Sequence, residues 1–122
     1  MIDSFNKYVI DPEVKAVLVG LDSNFTYTSL ALASLYINNG KCKFICTNEQ
    51  KQITLGNGMK YPGAGSIVEG IQITLNNEEG SQRTERPEIA GKPNGFAMEL
   101  IQERNPNDQI CLISDFASIE DI

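Results

Sequence analysis

Residues 16–47 read AVLVGLDSNFTYTSLALASLYINNGKCKFICT, and the fold turns on how this stretch divides. Ala16 to Leu21 is a continuous apolar, β-branched run that follows the turn-prone Asp11-Pro12-Glu13. Such a run fits a strand buried on both faces, so a central parallel strand is expected. After the polar break Asp22-Ser23-Asn24, the residues Tyr27, Leu30, Ala31, Leu35 and Tyr36 recur at helical spacing, and Asn38-Asn39-Gly40 supplies a stop. Lys41 to Thr47 then reads as a second buried strand. Strand, helix, strand is the βαβ unit of a parallel sheet, and it places the chain in the α/β class.

The same alternation continues downstream. Asn48 to Gly65, rich in Gly, Asn and Lys, is longer than most connections in compact domains and is expected to be a functional loop. Gly65 to Leu75 sets Ile67, Val68, Ile71 and Leu75 on one helical face with Ser66 near its start. Asn76 to Pro87 is a charged surface excursion. A short strand around Glu88 to Ala90, a helix from Gly95 to Arg104 and a last buried strand in QICLISD, Gln109 to Asp115, complete the reading. The expected architecture is βαβ units around a mainly parallel sheet.

Composition narrows the function. In 122 residues, 10 Lys and Arg face 16 Asp and Glu, a formal net charge of −6, and no basic block could follow a phosphodiester backbone. Nucleic acid is not an expected partner. No apolar run approaches the ~20 residues that span a bilayer, and MIDSFNKYVI lacks the regions of a signal peptide, so no membrane partner and a cytoplasmic location are expected. Histidine is absent, which removes imidazole bases, Ser-His and Cys-His pairs and His-containing zinc sites. The cysteines number three; Cys42 and Cys46, on one strand, stand ~13 Å apart at ~3.3 Å per residue, beyond disulfide reach. Cys42, Cys46 and Cys111 read as small buried hydrophobes. Any chemistry falls to carboxylates and lysine.

Three places could carry it. Pro62 to Ser66, PGAGS, puts two glycines where a loop enters a helix, so bare amides could face an anion there, or the glycines could simply permit close packing. The stretch fails the dinucleotide fingerprint, with Val68 at the third glycine position, and the P-loop pattern, which needs Lys-Ser/Thr. Lys92 stands in Gly91-Lys92-Pro93 at a strand-to-helix junction, where it could reach the carboxyl end of a parallel sheet or lie exposed in a turn. Asp115, ending an apolar strand, with Glu120 and Asp121 beyond it, could hold magnesium or could cap a helix and line its first turn. Asp22 is similarly placed and reads as a cap or a loop closure.

In this order VLVGLDSNFTY, CKFICTN, PGAGSIVEGI, IAGKPNGFAMEL and LISD resemble the para-nitrophenylphosphatase and phosphoglycolate phosphatase branch of the haloacid dehalogenase superfamily. The resemblance spans almost the whole chain. It implies magnesium-dependent hydrolysis of small phosphate monoesters through an aspartyl-phosphate, with a small phosphorylated metabolite as partner. Residues 1–86 resemble a segment of the α/β cap, and 87–122 a return into part of the core, the two packing separately or as one compact domain. Lys92 matches the lysine that balances charge on phosphate and nucleophile; Asp115 and Glu120 match the Mg2+-holding acids, Glu120 standing where the family has a second Asp. The substrate-binding set is Asn48, Gly63, Gly65 and Ser66. The family's nucleophile lies in a DxDG motif, and no two aspartates of this chain are separated by one residue. The expectation is a fragment that is inactive alone. The alternative is a non-catalytic cap-type module for binding or dimerisation.

Overall fold

The computed structural model describes residues 10–40, 42–75, 86–92 and 94–111. Three strands, β1 (Ala16–Val19), β2 (Lys43–Cys46) and β5 (Glu88–Ile89), form a parallel sheet in the order β1-β2-β5. Helix α1 (Tyr27–Gly40) joins β1 to β2, and α2 (Ala64–Thr74) lies on the way from β2 to β5. Because the strands advance across the sheet in one direction, right-handed crossovers place both helices on the same face. A two-layer α/β unit results.

The register shows which side chains that face buries. Val17 pairs with Phe44, Val19 with Cys46 and Cys46 with Ile89. Val19, Phe44 and Cys46 join Ile37, Val68, Ile71 and Leu75 in one buried cluster, with Val17, Leu30, Ala33 and Ile89 packed around it. Leu18 and Ile45 pair on the opposite face, where Leu18 is 67% exposed.

This corrects the expectation of a central β1 buried on both faces. Among the described residues β1 is an edge strand and β2 is central. An unbroken apolar run records that water is excluded from one face and tolerated by the other, which periodicity alone does not separate. The α1 face also shifts. Leu30, Ala33 and Ile37 meet the core while Tyr27 is 69% exposed.

Local signals fix the ends of these elements. The Asp22 carboxylate accepts from the Asn24 amide at 2.8 Å and its carbonyl from the Phe25 amide at 3.3 Å, so Asp22 closes the loop after β1. Thr26 then caps α1, its hydroxyl accepting from the Ser29 amide at 3.2 Å. The two helices are tied by a hydroxyl–hydroxyl bond between Ser34 and Thr74.

The stretch expected to be an irregular functional loop contains an antiparallel hairpin, β3 (Gln52–Thr54) with β4 (Lys60–Pro62). Its reversal carries Gly58 at φ 78°, a conformation that suits glycine. Three-residue strands leave too short an alternation to be read beforehand. Helix α3 (Phe96–Arg104) follows β5 and has no buried residue. The charged excursion, over residues 76–85, falls outside the described residues, as do residues 112–115 of the last strand expected over Gln109 to Asp115; its first three residues, 109–111, are described and belong to no strand.

Candidate functional site

A parallel sheet gathers its carboxyl ends on one side, and there three chain segments meet. The Thr47 amide donates to the Val19 carbonyl at 2.9 Å, and the Ala90 amide to the Cys46 carbonyl at 2.8 Å. Thr47 therefore sits between Gly20, after β1, and Gly91, after β5. A Cβ on Gly20 would lie 3.5 Å from the Thr47 methyl, an ordinary contact, whereas one on Gly91 would run into the Thr47 carbonyl oxygen. Only glycine lets the third segment pass this close.

Asn48 and Lys92 are the next residues along two of these segments. Asn48 is half-buried; its side-chain oxygen accepts from the Gln50 amide at 3.0 Å and its amide nitrogen lies 3.4 Å from the Thr47 hydroxyl. That turn fixes the direction in which the chain leaves β2. Lys92 is exposed and lies in a turn closed by the Asn94 amide donating to the Gly91 carbonyl at 2.9 Å. The Asn94 side chain braces the turn by donating to the Ile89 carbonyl at 2.7 Å. Lys92 is thus exposed in a turn, and that turn stands at the carboxyl end of the sheet.

The glycines of PGAGS have a different setting. Gly63 donates its amide to the Lys51 carbonyl at 2.8 Å, Gly65 to Gln50 at 3.0 Å, and Ser66 to Gly63 at 3.0 Å. The Ser66 hydroxyl donates to Lys51 at 2.7 Å. A Cβ at Gly63 or Gly65 would strike the carbonyl oxygens of Gln50 or Glu49. The amides of Gly63 and Gly65 already serve the chain leaving β2, that of Ser66 turns back to Gly63, and close packing is what these glycines provide. Through segment 49–51 they hold Asn48 in place.

Cys46 is fully buried beneath this edge. Burial pushes its thiol above its ordinary range, and the nearby Glu49 carboxylate adds to the effect. Cys42 is buried too, while Cys111 is exposed, contrary to the expectation of three buried cysteines. Asp115 and Glu120 fall outside the described residues, and among the described residues no three acidic or sulfur side chains come together to hold a metal.

Sequence reasoning fixed on Lys92 and the PGAGS glycines but passed over Thr47 and Gly20. Their signal was position within the apolar runs: Gly20 follows the last residue of β1 and Thr47 the last of β2.

No family model matches the chain. It is 32% identical over 108 residues, 86% of its length, to phosphoglycolate phosphatase 1A of Arabidopsis thaliana. A hypothetical protein from Pyrococcus horikoshii superposes with a TM-score of 0.61 at 40% identity over 80% of this chain. Glycerol phosphate phosphatase of Mycobacterium tuberculosis, solved in complex with magnesium, gives a TM-score of 0.61 at 26% identity over 75% of it. The relatives are haloacid dehalogenase superfamily phosphatases. That meets the branch expected from the motifs and the fold expected with it. The chain spans 28% of the Arabidopsis phosphatase, 33% of the Pyrococcus protein and 25% of the mycobacterial one. No helix among the described residues is long and apolar enough to cross a membrane.

Proposed function

We propose that this chain is the cap-derived part, residues 1–86, and the return toward the core, residues 87–122, of a cytoplasmic magnesium-dependent phosphatase acting on small phosphate monoesters. The observation that carries the reading is the meeting of three parallel strand ends at Thr47, which sets Asn48 and Lys92 on neighbouring segments of one edge. Lys92 supplies positive charge to phosphoryl oxygens, and Asn48 supplies an amide to the ester. Gly63, Gly65 and Ser66 act by holding segment 49–51 rather than by touching substrate. Asp115 and Glu120 bring the hard oxygen donors that magnesium takes, and the metal would neutralise developing charge on phosphate.

With no aspartate pair of the DxD type, the 122-residue chain lacks an attacking group. Electrostatic stabilisation without a nucleophile leaves most of the barrier standing. The purified chain, given para-nitrophenyl phosphate and magnesium, is expected to show no turnover, while calorimetric titration with inorganic phosphate shows weak binding reduced at least ~10-fold by Lys92→Ala. Turnover that persists through purification and is lost in Lys92→Ala would overturn the inactive-alone reading. Phosphate binding unaffected by Lys92→Ala would overturn the phosphoryl site.

A second reading, a non-catalytic cap-type module that dimerises, draws on the sheet face turned away from the core, where Leu18 stands exposed. Light scattering separates the two. A dimer indifferent to phosphate favours assembly.

A further inference from the structure

Along its outer side β1 borders an apolar groove of about 340 Å³ that runs from Val14 past Leu18 to Gly20 and is walled by Phe25, Leu32 and Tyr36 of the loop and helix that follow. The backbone row on this side can be identified. Lys15 and Val19 turn their carbonyls to β2, accepting from Lys43 and Thr47 at 2.9 Å each. In a parallel pair alternate residues share an edge, so Ala16, Leu18 and Gly20 turn their amides and carbonyls outward. Among the described residues no strand pairs with them. Ala16 to Val19, AVLV, has no charge, proline or bulge with which an exposed edge is usually protected.

The chain just before β1 reverses direction beside this groove. The Val14 amide donates to the Asp11 carbonyl at 3.2 Å and the Glu13 amide to the Asp11 carboxylate at 2.9 Å, a turn with Pro12 at its second position. The Asp11 amide donates to the Tyr36 hydroxyl at 3.2 Å, and Tyr36 walls the groove. The turn therefore brings Asp11 back to the groove's mouth. The Val14 carbonyl accepts from the buried Cys42 thiol at 3.1 Å, so the free outward row begins at Ala16.

We propose that the outer edge of β1 is a strand-docking surface whose occupant is the chain's own residues 1–9, MIDSFNKYV. Nine residues reach up to ~30 Å, against ~13 Å for the four-residue edge, and Tyr8, set opposite Val17 on the helix side, supplies apolar matter for the groove. Counting outward from the Asp11–Val14 turn sets Lys7 opposite Leu18. Nothing in this surface depends on phosphate chemistry.

The test is amide exchange resolved by residue, in the full chain and in one lacking residues 2–8. The Leu18 amide is expected to exchange at least ~10-fold faster in the shortened chain, with the Val17 and Val19 amides, which face β2, unchanged. Equal Leu18 rates in both chains overturn the proposal, and so does Leu18 protection that rises with protein concentration, which marks a second copy. Should the shortened chain not fold, oxidation of Lys7→Cys with Leu18→Cys in a Cys111→Ser background decides. An intrachain disulfide is expected there and not in Tyr8→Cys with Leu18→Cys; links between chains, or none, overturn it.

Discussion

At Gly91 the neighbour dictates the residue. Its would-be Cβ meets the Thr47 carbonyl oxygen, a backbone atom that cannot swing aside, whereas at Gly20 the neighbour is a methyl at ordinary contact distance. Gly91→Ala is therefore expected to destabilise by ~1–3 kcal/mol and Gly20→Ala by less than ~0.5 kcal/mol, measured by urea denaturation. Cys46 makes a second prediction at this scale. Its folded-state pKa is raised, first by burial and then by Glu49, so the unfolded chain ionises first as pH climbs. The sign follows: stability from the neutral thiol is fully present below the ordinary value of 9.0 and is lost as pH rises through the folded one. Denaturation midpoints should fall on the alkaline side. In the native protein at neutral pH a thiol reagent should modify exposed Cys111 quickly and spare buried Cys42 and Cys46.

Among the elements, α2 was the most legible. The spacing of Ile67, Val68, Ile71 and Leu75 marked a core face; the last three are buried and Ile67 is partly buried against them. Ile71, 1% exposed, and Ile73, 82% exposed, are chemically identical and two positions apart. Ile71→Ala should cost ~2–5 kcal/mol through the cavity it leaves, and Ile73→Ala less than ~0.5 kcal/mol, in the same denaturation experiment. The β3–β4 hairpin was not legible. Its strands are three residues each, and exposed Leu55, Met59 and Tyr61 give them no buried side to alternate against. Gly58 is the one residue there whose backbone needs glycine, so Gly58→Ala should loosen the hairpin by ~1–2 kcal/mol while leaving the α1–α2 core intact. Chemical shifts of the two regions report this separately.

At the scale of the whole fold, β2 is the strand that has neighbours on both sides among the described residues. Phe44 and Cys46 are buried in the common core, and β2 pairs with β1 and β5 at once. Its amides should exchange most slowly, with those of α3, which has no buried residue, and of the β3–β4 hairpin far ahead of them. Slow exchange centred on β1 instead would contradict the strand order. By itself the sequence determined the α/β class, the existence of β1, α1, β2, α2, β5 and α3, and a lysine at the carboxyl end of a strand. Those follow from hydrophobic period and from Gly and Pro punctuation, which act over a few residues. Only the tertiary structure decided that β2 rather than β1 is central and that the amides of Gly63 and Gly65 are already bonded to segment 49–51. It alone brought Gly20, Thr47 and Gly91 together. These depend on which segments meet across the sheet, and residues 71 positions apart leave no mark on one another's local pattern.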